Sequence, residues 1–94
     1  MKMVWLPRAL RRLEQAKQYI EQDKPAAAIQ TVHRIFECAE RLAHFPEMGR
    51  RGRLPDTREL ILPDTPFILV YRIQADRVEV LTLLHSARKW PEHL

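Results

Sequence analysis

The sequence predicts an α+β fold in the order β-α-α-β-β-β, with a helical hairpin packed on a small, mainly antiparallel sheet. Three observations carry that prediction. Two segments that each open on a proline place apolar residues every three or four positions. The C-terminal half is rich in β-branched and aromatic residues and is interrupted by turn chemistry. The links between segments are short, so consecutive elements must lie side by side. With 94 residues, the chain reads as one domain, residues 1–94, with a single modest core.

Met3-Val4-Trp5-Leu6 is a short apolar run and a candidate first strand, placed at an edge of the sheet or between other strands. Pro7 suits the first position of a helix, where its missing N–H is no loss. From Pro7 to about Glu21, Leu10, Leu13, Ala16 and Ile20 form one stripe, with Arg8, Arg11, Arg12, Glu14, Lys17 and Glu21 on the wet side. Gln22-Asp23-Lys24-Pro25 breaks the pattern, with Asp23 or Lys24 as the next cap. A second helix from Pro25 to about Ala43 repeats the device through Ile29, Val32, Ile35 or Phe36, Ala39 and Leu42. The short link makes the two helices antiparallel, so both stripes face one way and cover a sheet.

Both glycines, Gly49 and Gly52, fall between Pro46 and Pro55 in a stretch expected to be a loop. It is basic: Arg50, Arg51, Arg53 and Arg58 stand against Asp56. Residues 58–62 alternate and read as a strand, and Pro63-Asp64-Thr65-Pro66 is turn chemistry. Residues 67–73 and 78–85 are the arms of a hairpin. Gln74-Ala75-Asp76-Arg77, lacking glycine, predicts a four-residue type I connection between them. Ser86-Ala87-Arg88-Lys89-Trp90-Pro91 then brings two cations and an indole together.

The formal charge of +4 and a sequence pI near 9.7 favour an anionic partner, nucleic acid or an acidic protein. The single cysteine, Cys38, excludes an internal disulfide and a cysteine zinc site, and its place in a helical stripe predicts a buried, inert thiol. There is no 18-residue apolar span and no signal-peptide pattern, so a cytoplasmic protein with no membrane partner is expected. The common nucleophile, phosphate-loop, dinucleotide and zinc-protease motifs are absent. His33 and His44 share a helix face but lack a carboxylate at matching spacing, so no metal and no cofactor is expected.

The remaining candidates are cations on the strands. Arg58 starts one, Arg72 sits late in the next, and His85 closes the last, with Arg88 and Lys89 beyond it. Strand ends lie close enough for such groups to converge at one rim, near the arginine loop. Arg72 interrupts an apolar run. Alternation places it with Ile68 and Val70, opposite Phe67, Leu69 and Tyr71. It must be exposed or paired, and a bridge to Glu59 or Glu79 is the structural alternative to a functional role. Trp90 reads as a lid over the core edge.

Four segments carry a family likeness: Pro46-Glu47-Met48-Gly49-Arg50; Thr57-Arg58-Glu59-Leu60; Pro66 to Ile73; and Val80 to Pro91. With the Pro25-Ala26-Ala27-Ala28 helix start, they make the whole chain resemble the RelE/ParE toxin superfamily. That resemblance implies a toxin of a type II toxin–antitoxin system, held inactive by a cognate antitoxin of the ParD/RelB kind. It implies one of two targets, DNA gyrase or the ribosome with its mRNA. The RelE-like members resemble one another in strand lysines and a C-terminal tyrosine. Here Lys89 is the only late lysine and no tyrosine follows Tyr71. The His-x-x-Arg-x-Trp-Pro ending looks closer to the ParE and plasmid-stabilisation branch. The expected activity is therefore non-enzymatic gyrase inhibition, with Arg50, Arg51, Arg53, Lys89 and Trp90 on the target. The alternative is a ribosome-dependent mRNA endoribonuclease, with His85 as acid–base group and Arg58, Arg72 and Arg88 on the phosphate. A second alternative is an inactive toxin retained as an antitoxin-binding module.

Overall fold

The computed structural model describes residues 1–86. In chain order the elements are β1 (Lys2–Trp5), α1 (Pro7–Glu21), α2 (Pro25–His44), β2 (Arg50–Arg51), β3 (Arg58–Ile61), β4 (Phe67–Gln74) and β5 (Arg77–His85). Both helices begin on their prolines, and Leu6 and Lys24 hold the cap positions without a side-chain cap bond. Lys24, not Asp23, is therefore the second cap.

The five strands form one sheet in the order β1-β5-β4-β3-β2. β1 lies at an edge, parallel to β5 with Trp5 opposite Val80, and all other neighbours are antiparallel. β2 corrects the expectation that the arginine-rich stretch is all loop. Its two residues pair with Glu59 and Arg58, and the buried Glu59 supplies the reason, as described below.

The hairpin connection is also tighter than expected. Gln74 and Arg77 are themselves paired, so Ala75 and Asp76 alone make the turn. Ala75 has φ 52°, in the left-handed region, which a type I turn does not use. A two-residue loop needs such a residue to match the strand twist. Val70 pairs with Thr82 and Tyr71 with Val80, so Leu81 is an extra, bulged residue of β5. The bulge switches which positions of β5 face inward: Val78 and Val80 before it, Leu83 after it. β4 keeps its alternation, with Phe67, Leu69 and Tyr71 in the core and Arg72 on the other face, as the sequence implied.

The core lies between the helices and one sheet face. Ala9 and Leu13 of α1 and Ile35, Cys38, Ala39 and Leu42 of α2 pack over Leu62, Leu69, Tyr71, Val78 and Val80. Cys38 is a buried free thiol, as expected. The predicted stripes hold at Leu13, Ile35, Ala39 and Leu42, with Ala16, Ile20 and Val32 packed against the core, and fail at Leu10 and Ile29. Ala9 and Ala28 are fully buried, whereas Leu10 and Ile29 are 46% and 67% exposed. Alanine lets a helix approach its neighbours closely, so the small residues take the inward positions and the larger ones are left outside. Among the described residues, no buried side-chain polar atom lacks a hydrogen-bond partner, and no helix is long and apolar enough to cross a membrane.

Candidate functional site

The loop after α2 is held by two side chains that come from strands. Tyr71, fully buried in β4, donates its hydroxyl to the Pro46 carbonyl at 2.7 Å and accepts the Gly49 N–H at 2.9 Å. Burial pushes the phenol above its ordinary pKa, opposed by the Gly49 N–H and the Arg58 charge. Arg58, paired with Tyr71 across the strands, donates Nη1 to the Gly49 carbonyl at 2.8 Å and more weakly to that of Glu47 at 3.3 Å. A Cβ at position 49 would lie 2.7 Å from the Tyr71 hydroxyl and 2.9 Å from the Glu59 carbonyl, so glycine is required for the close approach. The Pro-Glu-Met-Gly-Arg segment is thus a locked corner, and Arg58 is one of its staples.

The opposite sheet face carries two carboxylates, each matched to arginine. The Glu59 side chain is only 1% exposed. Its Oε1 accepts Arg50 Nε and Nη2 at 3.2 and 2.9 Å, and its Oε2 accepts the Arg53 backbone N–H at 2.9 Å. A buried carboxylate must collect such partners, and in doing so Glu59 pulls residues 50 and 51 into register as β2. Glu79 receives Arg72 Nε at 2.6 Å and Arg77 Nη2 at 2.8 Å. The Arg72 hydrogen bond, with the charges of Arg72 and Arg77, holds the Glu79 carboxyl below its ordinary pKa despite its burial. Ile61, Ile68 and Leu84 continue this face beyond the carboxylates as an apolar row.

The convergence expected of the strand cations is therefore not what the register produces. Arg58 stands on the helix side with Tyr71, and Arg72 stands on the other side with Glu79. His85 pairs with Phe67, five residues along β4 from Arg72, or about 17 Å at strand spacing. Its ring meets Phe67 edge-on at 5.6 Å. Arg50 is committed to Glu59. Arg51 is exposed and opposite Arg58, and Arg53 follows it in the loop. Arg88, Lys89 and Trp90 lie outside the described residues. His33 bonds Glu37 at 2.6 Å on the open face of α2, and no cluster of three metal-ligating side chains occurs among the described residues. Tyr71, Glu59 and Glu79 were not singled out from the sequence as organisers. Their signal was a lone tyrosine or glutamate inside an otherwise apolar or basic strand.

Two of the concave surfaces among the described residues lie apart from the locked Pro-Glu-Met-Gly-Arg corner. One is a cleft of about 670 Å³ lined by residues 51–58 with Ile73 and Gln74. The other is an apolar seam between the helices, lined by Leu10, Leu13, Ile29, Val32 and Phe36 with Glu14 and Lys17 at its margin. Trp5 packs against Phe36 of this seam, with ring centroids 5.0 Å apart.

Residues 3–90 match the family described as ParE toxin of type II toxin-antitoxin system, parDE. The chain belongs to the ParE toxin family. It is 49% identical over 90 residues to the protein Y4kP of Sinorhizobium fredii, covering 96% of this chain and 93% of that one. It is 31% identical to Toxin RelE2 of Caulobacter vibrioides, over 92% of this chain and 96% of that protein. It is 33% identical to Toxin RelE3 of the same organism, over 88% and 91%. A solved structure described as a chromosomal ParDE TA system from P. aeruginosa superposes with a TM-score of 0.83 at 23% identity, covering 90% of this chain and 95% of that one. The chain is thus a type II toxin–antitoxin toxin of the RelE/ParE superfamily, with that superfamily's α+β fold.

Proposed function

We propose that this ParE family member acts in the cytoplasm by inhibiting DNA gyrase without catalysing a reaction, and that a cognate antitoxin of the ParD/RelB type neutralises it. The observation that carries the reading is a sheet face whose arginines, Arg50, Arg72 and Arg77, are each paired with a buried carboxylate. Metal-free RNA cleavage needs cations free to take phosphate charge and a nearby group to move a proton. On this face Arg72 is engaged by Glu79 and Arg50 by Glu59, and the neighbouring positions are Ile61, Ile68 and Leu84. Arg58 turns to the other side and His85 lies a strand's length away. A phosphate approaching here would meet two buried carboxylates whose partners are already committed.

Two relatives carry RelE names, so ribosome-dependent mRNA cleavage is the reading to test against. The protein expressed alone should trigger a DNA-damage response while translation continues. Translation arrest first, with mRNA cut at the ribosomal A site, would replace gyrase by the ribosome as target. Growth without arrest of either kind would leave an antitoxin-binding module.

The helical seam suits the antitoxin. Leu10, Ile29 and Phe36 expose apolar surface in one row along two packed helices, the geometry that receives the apolar face of an amphipathic helix. Arg8, Arg11 and Arg12 on α1 favour acidic residues on that segment's wet side. The partner expected is the product of an adjacent small gene. It should copurify with the toxin and raise its melting temperature.

A further inference from the structure

We propose that the cleft between the β2–β3 ribbon and the end of β4 binds the phosphodiester backbone of duplex DNA. The inference deepens the gyrase reading, since it lets the toxin touch the DNA that gyrase holds, but its test needs no gyrase.

The cleft is basic by construction. Among the described residues, Arg51, Arg53 and Arg58 line it, against one carboxylate, Asp56. Arg51 and Arg58 are directly opposed in the β2–β3 register, so both side chains leave the same face. Like charges placed so are unfavourable across a strand pair. Arg58 is partly relieved by the Gly49 and Glu47 carbonyls. No hydrogen bond or ion pair among the described residues relieves Arg51, which is exposed. A bound anion would relieve both. Guanidinium forks match phosphate oxygens in shape as well as charge.

The cleft is also preformed. Gly52 donates its N–H to the Thr57 carbonyl at 2.7 Å, and Thr57 Oγ1 donates to the Leu54 carbonyl at 2.7 Å. A Cβ on Gly52 would collide with Thr57 Oγ1. The Arg53 backbone N–H is tied to Glu59 from behind. A ligand therefore meets a wall that is already ordered, which lowers the cost of binding. Among the described residues, those lining the cleft include no aromatic ring. Single strands are held largely by stacking their bases on such rings, so this cleft is suited to the backbone that a duplex presents and not to splayed bases.

The test is binding of the full-length toxin to a fluorescently labelled DNA duplex of arbitrary sequence, read by anisotropy across a salt series. Arg51→Ala is expected to weaken binding about tenfold and to lower the log–log salt slope by roughly one contact. Arg34→Ala, which removes the same charge from the exposed side of α2, is expected to leave the slope unchanged. Equal effects of the two variants would mean attraction by net charge alone and overturn the site. No binding by the wild-type protein, or tighter binding of a single strand of equal length, would overturn it too. If Arg51 governs DNA binding while gyrase is unaffected by the toxin, the gyrase reading fails and the cleft stands. If gyrase is inhibited but Arg51→Ala binds DNA like wild type, the cleft fails and the gyrase reading stands.

Discussion

Tyr71→Phe isolates the lock on the loop after α2. The change deletes one oxygen and both of its bonds, the 2.7 Å bond to the Pro46 carbonyl and the 2.9 Å bond from the Gly49 N–H. Gly49 is buried, so its N–H is left without a partner. The two lost bonds, with the penalty for a stranded buried donor included, come to about 2–4 kcal/mol. For a chain of this length that is a fall of roughly 10–20 °C in Tm. Urea unfolding followed by far-UV circular dichroism measures it, with Tyr19→Phe, 68% exposed, as the control expected to change nothing. The structure also predicts coupling. Gly49→Ala drives a Cβ to 2.7 Å from the Tyr71 hydroxyl. Its cost should therefore be smaller in the Tyr71→Phe background than in wild type. A Tyr71→Phe protein within about 0.5 kcal/mol of wild type, or strictly additive costs in the double mutant, would refute the lock.

Further outcomes follow from the same geometry. Ile35→Ala empties a fully buried site between α2 and the sheet and should cost about 2–5 kcal/mol by urea titration. Ile29→Glu places a charge on the exposed seam, so it should abolish antitoxin copurification while leaving the isolated toxin's Tm nearly unchanged. A large Tm loss would mean that Ile29 belongs to the core. Glu79 has a depressed folded-state pKa, so its stabilisation is fully present above the ordinary carboxylate value of 4.5 and is lost as pH falls through the lower folded value. The Tm gap between wild type and Glu79→Gln should thus be widest near neutral pH and should close in acid. A gap that widens on acidification contradicts the Arg72–Glu79 account. His85→Ala should retain toxicity, scored as growth arrest on induction, if no proton transfer is involved.

Much of the architecture was legible because its signals are local. Pro7 and Pro25 mark the two helix starts, and the β-branched arms mark the hairpin. Alternation placed Arg72 on the face away from Tyr71 and made Glu79 one of its two expected partners, which the 2.6 Å contact bears out. What was misread depends on tertiary partners. β2 is only two residues long and exists because Glu59, remote in sequence, needs Arg50 and the Arg53 N–H. Pattern reading weights large apolar residues, so it chose Leu10 and Ile29 for the core. Close helix packing instead took Ala9 and Ala28. The supposed cation rim failed for a similar reason. Order along the chain put Arg58, Arg72 and His85 near strand ends. Pleat and register sent Arg58 and Arg72 to opposite faces, and placed His85 at the far end of the hairpin.

Supercoiling of relaxed plasmid by purified gyrase, titrated with the folded toxin, addresses the central claim most directly. The account predicts that supercoiling falls and cleaved DNA accumulates, and that the antitoxin reverses both. Undiminished supercoiling at a large molar excess of toxin, beside efficient mRNA cutting on programmed ribosomes, would contradict it.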